Sequence, residues 1–409
     1  MNEAKSSAAL AAPPGAFTPF RHGAFAVLWG AALLSNVGGW MHELAAGWLM
    51  TTLVPSPAWV AMVQAATTLP VCLLALPAGT LADRMDRRHL LIAARGAMLL
   101  IALLLGLLVL WHAITPALLL GLTFLLGVGN AVVSPAWQAI LPELVPREEL
   151  PPAVALHAVG MNISRAIGPA IGGALIVGFG IAWPFIVNAT TALAIIGALW
   201  WWRSTASAPR KHAQGFGTAM REGLALAHSN RALRNTLLRS AMFYVFGSCY
   251  WALLPLVAQQ RLGGTARLFG VLVGSIGVGA VAGALLLTGL RRKLGINGTV
   301  VAGTLGTALA MTAWGSVRLP ALGIVAGLIA GASWIASLSS LNVAAQLAVG
   351  DAMRARGMAL YTAVFYGCLA LGSIVWGQVA TFIGVAPALL VAAGLAIVML
   401  LPAKALKLS

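Results

Sequence analysis

Charged side chains are what this sequence has least of. Of 409 residues, 25 are Lys or Arg and 9 are Asp or Glu, together 8% of the chain, where a water-soluble domain carries about 25%. Too few polar groups are present to clothe a water-facing surface. Cysteine is also sparse: Cys72, Cys249 and Cys368 each fall inside an apolar run, with neither disulfide nor metal spacing, and read as small buried hydrophobes. No Walker sequence occurs, and the G-x-G fragments of "GVGNAV" and "GSIGVGAVAG" lie within apolar runs and not after a strand, which excludes nucleotide binding. His42 and Glu43 begin an H-E-x-x-H pattern, but Ala46 stands where the second His is required, so no such zinc site forms. The opening "MNEAKSSAALAAPPGAF" has no apolar core long enough for a signal peptide and reads as a flexible tail.

What is present is apolar length. The chain is 60% hydrophobic, with a mean hydropathy of +0.93. Its apolar runs are about 18–28 residues long and do not alternate, which selects membrane-crossing helices over a barrel. Twelve spans are predicted, near 24–51, 58–82, 89–111, 117–141, 152–179, 182–202, 236–260, 268–290, 297–317, 320–346, 357–383 and 385–402. The net charge of +16 would suggest nucleic acid in a soluble protein, but here the basic residues sit between apolar runs. With a cytoplasmic N-terminus, nearly all of them fall on the inner side, and the outward connections hold only Arg261, Arg267 and Arg318. That bias predicts a multi-pass protein of the plasma (inner) membrane with both termini in the cytoplasm.

One long polar connection interrupts the spans. It predicts a flexible tail at 1–20, a six-helix bundle at 21–203, a cytoplasmic linker at 204–235 and a second six-helix bundle at 236–409. Within the linker, "FGTAMREGLALAHSNRAL" reads either as a basic amphipathic helix on the membrane surface or as a solvated connector. The halves repeat at a fixed offset of 204 residues: Arg87 and Arg88 correspond to Arg291 and Arg292, and Gly168 and Gly173 to Gly372 and Gly377. Internal repeats with a site at their interface are the mark of secondary transporters.

Three stretches carry a family resemblance. "GTLADRMDRRHLL" resembles the loop motif between spans 2 and 3 of the major facilitator superfamily, with Gly79, Leu81, Ala82, Asp83, Arg84, Arg87 and Arg88 in place and Asp86 where Gly is usual. "SRAIGPAIGG" resembles the span-5 motif of that superfamily's antiporters through Gly168, Pro169, Gly172 and Gly173. "AAGWLMTTLVPSPAWV" and "LPELVPREELPPAVAL" resemble its enterobactin-exporter-like, or transmembrane secretion effector, branch. The resemblance implies an all-α membrane protein of two pseudo-symmetric six-helix bundles, exporting small molecules by alternating access, usually against protons. It implies further that Gly79, Asp83, Arg84, Arg87 and Arg88 form a cytoplasmic latch touching span 11. Gly168, Pro169, Gly172 and Gly173 form the packing motif of span 5, in which Gly168 and Pro169 are expected to bend the helix and seal it against span 8. The Arg motif found in span 4 of many proton-coupled exporters is absent here.

Charge inside a membrane is costly and marks function or a buried pair. Two clear cases exist, Glu43 in span 1 and Arg165 in span 5. Glu43 reads as a proton-coupling carboxylate, as the partner of Arg165, or as a group reaching the outer interface. Arg165 reads as an anchor for an anionic substrate or for span 5. His42 and His157 are candidate relays or ordinary packed histidines. By resemblance, spans 1, 4, 7 and 10 line the cavity, offering Asn36, Trp40, Asn130, Trp137, Gln138, Tyr244, Trp251, Trp334 and Asn342. Aromatic faces with a few hydrogen-bonding groups suit an amphipathic substrate, although Trp also gathers at lipid interfaces. The expected partners are a small-molecule substrate, protons as coupling ion and the lipid bilayer, with no nucleic acid, no cofactor and a monomeric chain. A facilitator or importer of the same fold, or a non-transporting receptor, is the alternative. No nucleophile cluster or metal set points to an enzyme.

Overall fold

A computed structural model describes residues 15–203, 225–226, 228–350 and 353–408, with the side chains of 75, 76, 79, 80, 82–84 and 355 outside that description. Every regular element among the described residues is helical. The first half consists of α1 (Gly23–Leu53), α2 (Pro57–Arg84), α3 (Arg87–Leu110), α4 (Pro116–Leu144), α5 (Leu150–Phe179) and α6 (Trp183–Trp201). The second half begins with α7 (Arg231–Leu256), which runs into a π-helical turn at Val257–Arg261. It continues with α8 (Ala266–Ser316), α9 (Pro320–Leu347), α10 (Arg354–Ile383) and α11 (Val385–Val398), closed by a short turn at Leu400–Ala403.

α8 has 51 residues, about 77 Å if straight at 1.5 Å per residue, more than twice a hydrocarbon core of about 30 Å. It is not straight. Gly295 sits at φ 66°, ψ −179°, a conformation open to glycine because it has no Cβ. The break gives two arms, α8a (266–294) and α8b (296–316). Eleven described helices are long and apolar enough to cross a membrane, and separating the two arms gives the expected twelve crossings. The sequence placed a loop between spans 8 and 9; the structure makes that reversal at a single glycine. α7 also starts at Arg231, five residues ahead of the expected 236, because Asn230 caps it: its Oδ1 accepts from Leu233 N at 3.0 Å. The first nine residues of the linker's suggested surface helix lie outside the described residues.

Within the first half, α1 packs on α5 and α6, α3 on α4 and α6, and α2 on α4. Within the second, α8 packs on α9 and α11, and α7 on α10. The halves meet along two seams, α2 with α10 and α5 with α8. Leu285, Leu286 and Phe382 stand largely exposed on the outside of the bundle, where water would oppose them and lipid would not.

The repeat persists in detail. Gly180 and Gly384, again 204 apart, end α5 and α10 at φ 104° and 90°. Arg87 donates to Ala139 O at 3.1 Å and pairs with Glu143 at 2.8 Å, both on α4; Arg291 donates to Ser339 and Ser340 on α9 at 2.9 and 3.1 Å. Arg88 donates to the last carbonyls of α6, Leu199 at 2.6 Å and Trp200 at 2.7 Å. A cation suits those carbonyls because they lack helical partners and carry the negative end of the helix dipole. Arg87 and Arg88 therefore tie α3 to its own half. We call the end of the bundle that holds these arginines the basic end, and the other the distal end.

Asp86, the departure from the family motif, adopts φ −61°, ψ 116°, which any residue can take, and serves as the N-cap of α3. Its Oδ1 accepts from His89 N at 2.9 Å, with His89 Nδ1 at 3.1 Å. The His89 backbone N–H stabilises the anion and holds its pKa below the ordinary carboxylate value. A lowered folded pKa means the contribution is complete above the unfolded value, about 3.9, and is lost as pH falls through the folded one. Asp86→Ala is expected to cost about 1 kcal/mol at neutral pH, with the difference from wild type shrinking on acidification. Thermal unfolding of both proteins in detergent across that pH range measures it.

Candidate functional site

A cavity lies between the halves. It is lined by Trp40, Glu43 and Gly47 of α1, Gln64 and Thr67 of α2, Trp251 and Pro255 of α7, and Phe269 and Val273 of α8. It leaves about 50 Å³ for the centres of water-sized molecules, where one water requires about 10–15 Å³. Glu43 places the only ionisable carboxylate among these groups. Trp48, one residue beyond Gly47, stacks on Phe269 across the seam, with centroids 6.0 Å apart.

Arg165 reaches the same region from the middle of α5. Its guanidinium lies over the Trp40 ring, 5.0 Å from the centroid, a favourable placement for a cation on the negative face of an indole. It forms no ion pair within 4.0 Å of Glu43 among the described residues, yet stays within electrostatic reach of Glu43, Tyr250 and Tyr366. Its Nε is buried without a hydrogen-bond partner. Tyr250 Oη and Trp251 Nε1 are likewise buried without a well-formed bond, although the phenol and the indole lie close together. Buried polar groups are normally satisfied; Trp251 stands on the cavity wall, while Arg165 and Tyr250 lie behind it against Trp40 and Trp251, so the Trp251 donor marks a place for a polar guest or water.

The distal end closes over this cavity. Ala58 N at the start of α2 donates to Thr381 Oγ1 on α10 at 3.2 Å. A Cβ on Gly377 would approach Pro57 O at 3.2 Å and Ala58 Cα at 3.3 Å. In the other seam, a Cβ on Gly173 would lie 2.7 Å from Ala266 O and 3.2 Å from Arg267 Cα. The four residues of the span-5 motif divide between two neighbours. Gly168 and Gly172 face α1, at Val37, Trp40 and Met41, while Pro169 and Gly173 face α8, with Pro169 O against Gly270. Gly372 mirrors Gly168 by facing Val245 on α7.

Other sequence candidates take varied positions. Trp40 and Trp251 line the cavity. Asn36 donates to Met161 Sδ at 3.1 Å. Asn130, Ser134 and Gln138 are exposed at four-residue steps along α4. They lie about 140° around that helix from exposed Gly121 and Leu125, so they form a separate polar stripe towards the basic end. Tyr244 and Trp334 are buried in the core of the second half: Tyr244 Oη bonds Tyr361 Oη at 2.8 Å and its ring packs 5.7 Å from Trp334. Trp137 donates to His157 Nδ1 at 3.1 Å, and Gln346 donates to Asn342 Oδ1 at 2.6 Å. His42 bonds Asn188 at 3.3 Å and packs on Phe185. The backbone of Gly79, Asp83 and Arg84 is helical, but their side chains lie outside the described residues. Reasoning from sequence missed Gln64, Thr67, Phe269 and Tyr366. Gln64 carried a signal, being the one side-chain amide within its span.

The sequence profile of the transmembrane secretion effector family matches residues 14–409. The chain belongs to the transmembrane secretion effector family. It is thus a multi-pass membrane transporter of the major facilitator type and not an enzyme. A staphyloferrin A transporter of Staphylococcus aureus (strain NCTC 8325 / PS 47) is 25% identical to it over 267 residues, 65% of this chain and 67% of that one. Macrolide efflux protein A of Streptococcus pyogenes is 24% identical over 277 residues, 64% of this chain and 65% of that one. The transporter therefore matches about two thirds of the length of these relatives. Among solved structures, nucleoside transporter NupG superposes with a TM-score of 0.71 at 14% identity, over 94% of this chain and 98% of that one. A bacterial homolog to the human lysosomal transporter Spinster, inward-facing and occupied, gives 0.72 at 16% identity, over 95% and 96%. At those identities the likeness is one of fold.

Proposed function

We propose that this transporter exports small hydrophobic or amphipathic molecules, drug- or siderophore-like, by alternating access in exchange for protons. The observation that carries the reading is the position of Glu43. It lines the cavity between the halves, beside Trp40 and Trp251 and without a direct ion pair. A carboxylate there can exchange its proton with whichever side the cavity opens to, provided access alternates. The aromatic faces supply non-directional contact for varied cargo. Relatives named for staphyloferrin A transport and macrolide efflux support a small-molecule cargo.

The transporter works as a monomer of the plasma (inner) membrane with its basic end and both termini in the cytoplasm. Residues 21–203 and 236–409 move as the two bodies, joined by the linker at 204–235, with 1–20 as a tail. Asp83 holds the basic end closed against the start of α10, and Arg87 and Arg88 brace its loop from within the first half.

Uptake of a compound panel into inside-out vesicles, with and without a pH gradient, tests this. Gradient-dependent accumulation of at least one amphipathic compound is the expected result, and Asp83→Asn should insert normally and lose it. Downhill flux indifferent to pH would make the protein a facilitator.

A further inference from the structure

A second cleft opens at the basic end, away from the transport cavity. Arg239 and Met242 of α7, Val300 and Thr304 of arm α8b, and Met399 and Leu400 beyond α11 line it. Arg239 lies about 12 Å along α7 from its first residue, only 4% exposed. Its Nη1 donates to Asn297 Oδ1 at 2.6 Å. Asn297 has little further capacity: the same oxygen accepts from Leu408 N at 3.1 Å, and its Nδ2 donates to Leu408 O at 3.2 Å. A guanidinium carries five N–H donors, and this is the one hydrogen bond Arg239 makes among the described residues.

Among the described residues of its own half the charge has no answer. The single acidic residue after position 230 is Asp351, and Arg239 makes no ion pair among the described residues. A buried cation without a counter-charge is costly. Its surroundings add positive charge: Arg234, Arg292, Lys293, Lys404 and Lys407 are exposed at the same end. An anion bound in the cleft would answer a charge that the described residues leave without one. Apart from Thr304, whose hydroxyl is spent on Val300 O, the side chains that line the rest of the cleft are apolar, as an acyl chain requires and a hydrated ion does not.

We propose that this cleft binds an anionic phospholipid, its phosphate on Arg239 and its acyl chains along Met242, Val300 and Leu400. Basic pockets between transmembrane helices at a membrane surface recognise such headgroups. Assignment to the cytoplasmic leaflet rests on the orientation proposed above, but lipid binding itself does not, and it is read without any transport assay.

The test is native mass spectrometry of the full chain released from nanodiscs of phosphatidylcholine doped with phosphatidylglycerol. Wild type is expected to retain one phosphatidylglycerol. Arg239→Gln should lower that occupancy roughly tenfold. Leu400→Trp, which fills the cleft and leaves the arginine, should lower it likewise and decides the matter if the first variant folds poorly. Lys404→Gln should retain the lipid. Wild-type retention by both cleft variants would overturn the proposal, as would displacement of the lipid by inorganic phosphate, which would show a site for the free ion.

Discussion

Glu43→Gln inserts at wild-type level and loses the pH-gradient-driven component of efflux, by roughly tenfold or more. The exchange keeps the size and hydrogen-bonding reach of the side chain and removes only its ability to titrate. Nothing in the packing opposes it. Glu43 lies on a cavity wall beside Gln64 and Thr67, so a neutral amide meets polar company. Arg165 is held by the Trp40 face and does not depend on a direct bond to Glu43. A purely structural Glu43–Arg165 pair predicts something different. Breaking a buried pair is strongly destabilising, so thermal unfolding would fall along with transport. Efflux from inverted vesicles, measured beside thermal unfolding of the same variant, separates the two roles. Unchanged gradient-driven efflux would remove Glu43 from the mechanism.

Gly173→Leu holds the distal end open and stops turnover. The side chain meets backbone on every side: Ala266 O at 2.7 Å, Arg267 Cα at 3.2 Å and Gly270 Cα at 3.3 Å from its Cβ. Backbone of a neighbouring helix cannot swing aside as a flexible side chain does. Overpacking costs about 1–3 kcal/mol. Because the clash exists only while α5 and α8 are closed together, that energy shifts the conformational equilibrium by about 5- to 150-fold. Gly172 makes the instructive comparison. It stands one residue earlier and contacts Met41 of α1 at 3.0–3.3 Å, within the same half. Gly172→Leu should therefore disturb the first bundle without changing access. Labelling of single cysteines placed at the two ends reports the outcome: raised distal and lowered basic-end accessibility for Gly173→Leu. An unchanged pattern would show that this seam does not gate.

The two predictions differ in how far sequence alone could reach them. Glu43 was legible because a carboxylate in "GGWMHELAAGW" is costly in lipid and has few explanations. The spans were legible for the same reason, since apolar length has few other uses. What faces what was not legible. Gly168, Gly172 and Gly173 look alike in the sequence, and only the rotation of α5 assigns two of them to α1 and one to α8. The partners of Arg88 are two backbone carbonyls at the end of α6, which carry no sequence signature. Tyr244 and Trp334 have the composition of a cavity wall but pack against each other and Phe365, because aromatic residues serve a core as readily as a site. Asp86 could have been read correctly from "MDRRHLL", where an Asp three residues before His89 is an ordinary N-cap position.

The central claim is that cargo and proton share one cavity and exclude each other there. It is tested most directly by proton release from the purified transporter in weakly buffered detergent solution, followed with a pH-sensitive dye as a transported compound is added. The account predicts release from wild type, saturating with the compound, and none from Glu43→Gln. Equal release from the variant, or uptake of protons by wild type, would contradict it.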